Sequence, residues 1–140
     1  MEVSSKMSTA KLTDVGKMNV GKILVVDDNP ASRELLRSAL EPRYFVLEAA
    51  NGQEAMSCIR HSLPDLVLMD IQMPVMDGYE ALREIRKNSA LAPLPVIAIT
   101  AFAMLEDRKK AFAAGFSGYL PKPINIAALR TQIELLLKEE

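Results

Sequence analysis

The stretch Lys22-Ile23-Leu24-Val25-Val26-Asp27-Asp28-Asn29-Pro30 sets the architecture. Four apolar residues in a row, three of them β-branched, end abruptly in two acids. A strand that is apolar at every position, and not at every second one, is covered on both faces, as in a parallel sheet. Asn29 followed by Pro30 reads as a helix N-cap with proline at the first helical position. Leu35, Leu36, Ala39 and Leu40 then supply the apolar residues of that helix. The stretch is strand, acidic corner, helix.

The same unit recurs along the chain. Leu66-Val67-Leu68-Met69 ends in Asp70, and Val96-Ile97-Ala98-Ile99 ends in Thr100. Tyr44 to Glu48 and Gly118 to Leu120 are weaker strands, placed at the sheet edges. Asn51 and Glu54 have capping-box spacing ahead of Met56 and Ile59. Tyr79 to Arg86 carries Leu82 and Ile85 three apart. Leu105 to Ala114 presents Leu105 and Phe112 seven apart, and Gly115 is a natural stop. Asn125 caps a last helix with Ile126, Leu129, Ile133 and Leu136 on one stripe. Strand and helix alternate five times, which implies right-handed crossovers and an open, doubly wound parallel sheet with helices on both faces. Residues 21–140 are expected to form that one domain. Residues 1–20, rich in Ser, Thr, Lys and Met without a sustained apolar face, are expected to be a flexible tail.

Composition narrows the function. The chain carries 17 Lys plus Arg against 18 Asp plus Glu, a net charge of -1, which argues against a dedicated nucleic-acid binder. Aromatic residues make up 5% and tryptophan is absent, so a base-stacking platform is disfavoured. Cys58 is the single cysteine and cannot form an internal disulfide, which fits a reducing compartment. Apolar runs fall far short of the ~20 residues of a membrane helix. The expected location is cytoplasmic, with no membrane partner.

In open α/β sheets, ligands bind beyond the carboxyl ends of the strands. Here those ends carry Asp27, Asp28, Asp70 and Thr100, with Lys122 just past the fifth strand. Clustered carboxylates repel one another unless a cation intervenes. Mg²⁺ suits such a site because it takes one or two carboxylates, waters and a phosphate. A carboxylate beside Mg²⁺ and a lysine can attack phosphorus and form an aspartyl phosphate. Each residue alone has an ordinary structural reading as a turn, cap or solvated lysine; their joint placement argues for a site. His61, the sole histidine, reads as an exposed helix-end residue, and Cys58 as packing.

Four stretches carry a family resemblance: Lys22 to Asn29, Asp65-Leu-Val-Leu-Met-Asp-Ile-Gln-Met-Pro-Val-Met-Asp-Gly78, Pro95 to Ala101, and Gly118-Tyr-Leu-Pro-Lys-Pro123. Together they resemble the receiver domain of two-component response regulators, the CheY-like family, over roughly residues 21 to 138. The resemblance implies a flavodoxin-like fold with strand order 2-1-3-4-5. It implies that Asp70 accepts a phosphoryl group, that Asp28 binds Mg²⁺ directly and Asp27 through water, and that the Gln72 backbone carbonyl is a further ligand. It implies that Lys122 contacts the phosphoryl group, that Thr100 and Tyr119 form a switch pair, and that the Lys122–Pro123 bond is cis. Gln72 and Phe102 occupy positions that tune phosphate loss, and Phe102 suggests slow loss. Such a module is a signalling switch and not a metabolic enzyme, although it assists its own phosphorylation and dephosphorylation. The implied partners are a histidine kinase or phosphotransfer protein and a downstream protein bound at the fourth helix, fifth strand and fifth helix. The chain fits a single-domain regulator or a receiver from a hybrid kinase. An aspartate-dependent phosphohydrolase would need an acid where Gln72 stands. A flavodoxin-like cofactor binder would need a glycine- or hydroxyl-rich loop where Asp27-Asp28-Asn29-Pro30 stands.

Overall fold

A computed structural model describes residues 21–73, 76–101 and 104–137. The expected tail, Pro74 and Phe102 lie outside the described residues. The elements run β1 (Lys22–Val26), α1 (Pro30–Leu40), β2 (Phe45–Ala49), α2 (Gly52–Ser62), β3 (Leu66–Asp70), then α3 (Gly78–Lys87), β4 (Val96–Thr100), α4 (Leu105–Ala114), β5 (Gly118–Pro121) and α5 (Ile126–Leu137). The strands form one parallel sheet in the order β2-β1-β3-β4-β5, the doubly wound arrangement expected. The two weak strands, β2 and β5, are its edges.

The continuous apolar runs are explained by layers on both faces. Leu24, Val26, Val67, Met69, Val96 and Ala98 face a core with α2, α3 and Ala111 of α4. Their neighbours Ile23, Val25, Leu66, Leu68, Ile97 and Ile99 face a second core with α1 and α5. Alternation sends adjacent strand residues to opposite faces, so each strand serves both cores. Cys58 packs against the first core, as expected.

The caps hold the helices in register with the strand ends. Asn29 accepts from Ala31 and Ser32 at the start of α1, Asn51 accepts from Glu54 at α2, and Asn125 accepts from Ala128 at α5. Asp77 and Glu80 add a capping box at α3 that the sequence reading did not single out. Gly115 ends α4 with φ 111, a left-handed backbone that glycine adopts without a Cβ penalty. Helix α4 buries little of itself. Leu105 and Phe112 are both exposed, and only Ala111 is buried. The seven-residue spacing marks an outward face here, because α4 touches the domain mainly through the small side chain of Ala111.

Two polar devices tie the layers together. Arg33 and Arg37 of α1 both bond the Glu48 carboxylate on β2, at 2.9 and 2.7 Å. Arg86 of α3 is a partly buried guanidinium whose acceptors are neutral. It donates to the carbonyls of Ala92, Leu94 and Gly115, at distances from 2.7 to 3.1 Å, and to Ser117 Oγ. It thereby joins the end of α3, the following loop, the end of α4 and the approach to β5. Burial pushes the Arg86 pKa down from its ordinary value.

Arg86→Met is expected to destabilise the fold by about 2–4 kcal/mol in urea denaturation, because several acceptors lose their donor at once. Arg86→Lys should recover only part, since an ammonium cannot span that fork. At Glu48, the hydrogen bond from Arg37 holds the carboxyl below its usual pKa. A depressed folded-state pKa stabilises above the unfolded pKa and is lost as pH falls through the folded value. Glu48→Gln should therefore cost up to about 1 kcal/mol at pH 7 and nothing at low pH in paired denaturation curves.

Candidate functional site

Four strands deliver polar groups to one rim. Asp27 follows β1, Asp70 closes β3, Thr100 closes β4 and Lys122 follows β5. The ladder sets their level: Asp70 pairs with Ile99, Thr100 pairs with Pro121, and Lys122 N donates to the Thr100 carbonyl at 2.8 Å. Asp27 N donates to the Ala49 carbonyl at 3.1 Å, which fixes the acid against the end of β2.

Among the described residues, Asp27, Asp70 and Thr100 are the buried polar ones, at 2%, 5% and 2% exposure. Each buried acid divides its two oxygens in the same way. Asp27 Oδ1 accepts the Asn29 N–H at 2.9 Å, and Asp70 Oδ1 accepts the Gln72 N–H at 3.0 Å. Their Oδ2 atoms both receive Lys122 Nζ, at 3.1 and 3.3 Å. Asp28 is exposed beside them, and carboxylate oxygens of Asp27, Asp28 and Asp70 lie within 4.8 Å of one another. Asp27, Asp28, Asp70, Thr100 and Lys122 thus lie on one rim, and the Lys122–Pro123 bond is cis as expected.

The electrostatics follow from burial and charge. Burial pushes the Asp70 carboxyl above its usual pKa, and the neighbouring Asp27 charge adds to this. The Gln72 N–H and the Lys122 ammonium pull against it, but do not cancel it. Burial alone would lower the Lys122 pKa, yet the hydrogen bond and charge of Asp27, with the charge of Asp70, raise it. Lys122 is an ammonium at neutral pH. Three carboxylates around one ammonium leave an excess of negative charge, which complements a divalent cation.

Tyr119 is buried in the core shared with α2 and α3, and burial raises its phenol pKa, with Asp107 adding to the shift and Arg108 opposing it. His61 is exposed, with Nδ1 2.8 Å from the Ser57 carbonyl oxygen. The role of Arg33 was not read from the sequence, and Gly78 was read only as a turn residue flanking the loop after Asp70, whereas it begins α3. Arg33 Nη1 donates to the Asp27 carbonyl at 2.8 Å and braces the acidic corner from α1. Its position four residues after the Asn29 cap, on the turn facing β1, was the available signal. Gly78 lets α3 approach β3, because a Cβ there would meet the Asp70 carbonyl oxygen at 2.8 Å.

A family model described as the response regulator receiver domain matches residues 23–134. The chain belongs to this family. It is 37% identical over 105 residues to the polar-differentiation response regulator DivK of Brucella anthropi, covering 74% of this chain and 85% of that one. It is 44% identical over 104 residues to an uncharacterized 14.6 kDa protein of Leptolyngbya boryana, covering 74% and 79%. Some relatives are longer, and of one the chain spans only 45%. Among solved structures, the receiver domain of a sensor histidine kinase from Pseudomonas aeruginosa superposes with TM-score 0.78 at 35% identity, covering 85% of this chain and 98% of that one. That structure holds a magnesium ion in its active-site cleft. This receiver is a module of two-component signalling, and its acidic cluster is of the kind at which receiver domains bind Mg²⁺. No helix among the described residues is long and apolar enough to cross a membrane.

In metal-free protein, Lys122→Met is expected to move the Asp70 carboxyl titration further up, and Asp27→Asn to move it down. Carboxyl ¹³C NMR against pH reads both signs in one experiment.

Proposed function

We propose that this receiver is a Mg²⁺-dependent phosphoacceptor whose phosphorylation on Asp70 switches a protein-binding surface. The observation that carries the reading is the cluster of Asp27, Asp28 and Asp70 around the single ammonium of Lys122. Asp70 Oδ attacks the phosphorus of a phosphohistidine; the new P–O bond forms as the P–N bond breaks, and the departing imidazole takes a proton. The donor is a histidine kinase or phosphotransfer protein. Asp28, with Asp27 through water, Asp70 and the Gln72 carbonyl, would hold the cation. Bound there, Mg²⁺ would neutralise charge on the equatorial phosphoryl oxygens.

Lys122 already bridges Asp70 and Asp27. As the phosphoryl group arrives, the ammonium passes from two carboxylates to a phosphoryl oxygen. Thr100, at the end of the adjacent strand, offers a hydroxyl to a second oxygen. Thr100 and Tyr119 are the pair that carries the change to the surface formed by α4, β5 and α5. Phosphorylation adds nearly two negative charges and biases a two-state equilibrium that exists without it. The exposed Met104, Leu105 and Phe112 at α4 and Leu135 of α5 give that surface the apolar content a protein partner needs. The receiver unit is assigned to residues 21–140 and to the cytoplasm. It assists its own phosphorylation and dephosphorylation, and the absence of an acid at Gln72 argues against a turnover phosphohydrolase.

Intact-protein mass after incubation with a small-molecule phosphodonor tests the reading. One phosphoryl adduct that requires Mg²⁺ and is lost in Asp70→Asn is expected. An adduct that persists in Asp70→Asn would overturn the assignment of the acceptor. The same adduct is expected to decay slowly, given Gln72 and Phe102; a half-life of seconds would reject that part alone.

A further inference from the structure

Gln132 of α5 reaches over the outer edge of the sheet. Its Nε2 donates to the main-chain carbonyl of Tyr119 at 3.1 Å. Its Oε1 is buried and has no hydrogen-bond partner among the described residues, the only such side-chain atom found there. The amide reaches this position because residue 118 is glycine: a Cβ on Gly118 would overlap Gln132 Oε1 and crowd Ile97. Gln132 and Tyr119 also share the walls of a cavity of about 270 Å³ between α4, β5 and α5, with Arg108, Phe112 and Leu135. Because β5 is an edge strand, its outer side has no neighbouring strand to fix it. The Gln132 amide does that work at one residue, Tyr119.

Gln132 Oε1 is a buried acceptor without a donor, which is costly, while Nε2 satisfies the Tyr119 carbonyl, so the amide is kept in place by what it does for β5. We infer that Gln132 is a positioning residue for Tyr119, holding the main chain of β5 where the tyrosine ring is buried. Fixing the Tyr119 carbonyl fixes the peptide plane from which the ring departs and limits its excursion outward. Loss of that hold shifts the population away from the ring-buried state, and by linkage it weakens whatever binds that state better. The inference rests on the reading that Asp70 and Tyr119 belong to one switch.

The test is titration of Mg²⁺-loaded protein with beryllofluoride, a phosphoryl stand-in, with the Tyr119 ring followed by NMR. Gln132→Leu is expected to bind about threefold to tenfold more weakly than wild type. Gly118→Ala, which keeps Gln132 but displaces its amide, should weaken binding in the same direction. In a Tyr119→Ala background, Gln132→Leu should change nothing, because the ring through which it acts is gone. A merely structural glutamine would alter melting and leave the affinity alone. Unchanged affinity in Gln132→Leu, or an equal loss with and without the Tyr119 ring, overturns the inference and leaves the phosphoacceptor reading standing. Failure of the wild type itself to bind beryllofluoride overturns both.

Discussion

The domain is organised around an ammonium that holds two buried carboxylates together. Lys122 bonds Asp27 and Asp70 across a sequence separation of 52 to 95 residues, and it joins the ends of β1, β3 and β5. Without it, two acids at 2% and 5% exposure would face each other in a medium that penalises charge. The parallel ladder places these ends at one level, the caps of α1 and α3 open beside them, and the layers on both faces keep the strands rigid. The charges are compensated well enough to fold, and an excess of negative charge remains on the rim.

Much of this was legible in the sequence because it depends on local patterns. The four-residue apolar runs report burial on both faces directly, and the acids that follow them report the site. Asn29, Asn51 and Asn125 announce helix starts by their own side-chain chemistry, and the structure shows each accepting from the expected turn. The convergence of Asp27, Asp70, Thr100 and Lys122 follows from strand ends in a parallel sheet, so placement on strands was enough to place them together.

What escaped the sequence depends on pairs that meet only in three dimensions. Arg33 and Arg86 look like ordinary surface arginines in helical segments, yet one braces the acidic corner and the other anchors three main-chain carbonyls in two separate segments. The seven-residue spacing of Leu105 and Phe112 does not say which way they face, and both turn outward. Gln132 carried no motif. Its meaning comes from a glycine on another element and from a carbonyl on an edge strand.

The partners of Arg86 give the domain a form of mutational tolerance. Its principal acceptors are main-chain carbonyls of Ala92, Leu94 and Gly115, which every residue type provides. The side chain at position 92 can drift without touching the bonds that hold its loop, whereas Leu91 and Leu94 also pack against the core. Polar constraint on the loop before β4 is thereby concentrated in one arginine, and what its own side chains must supply is apolar contact.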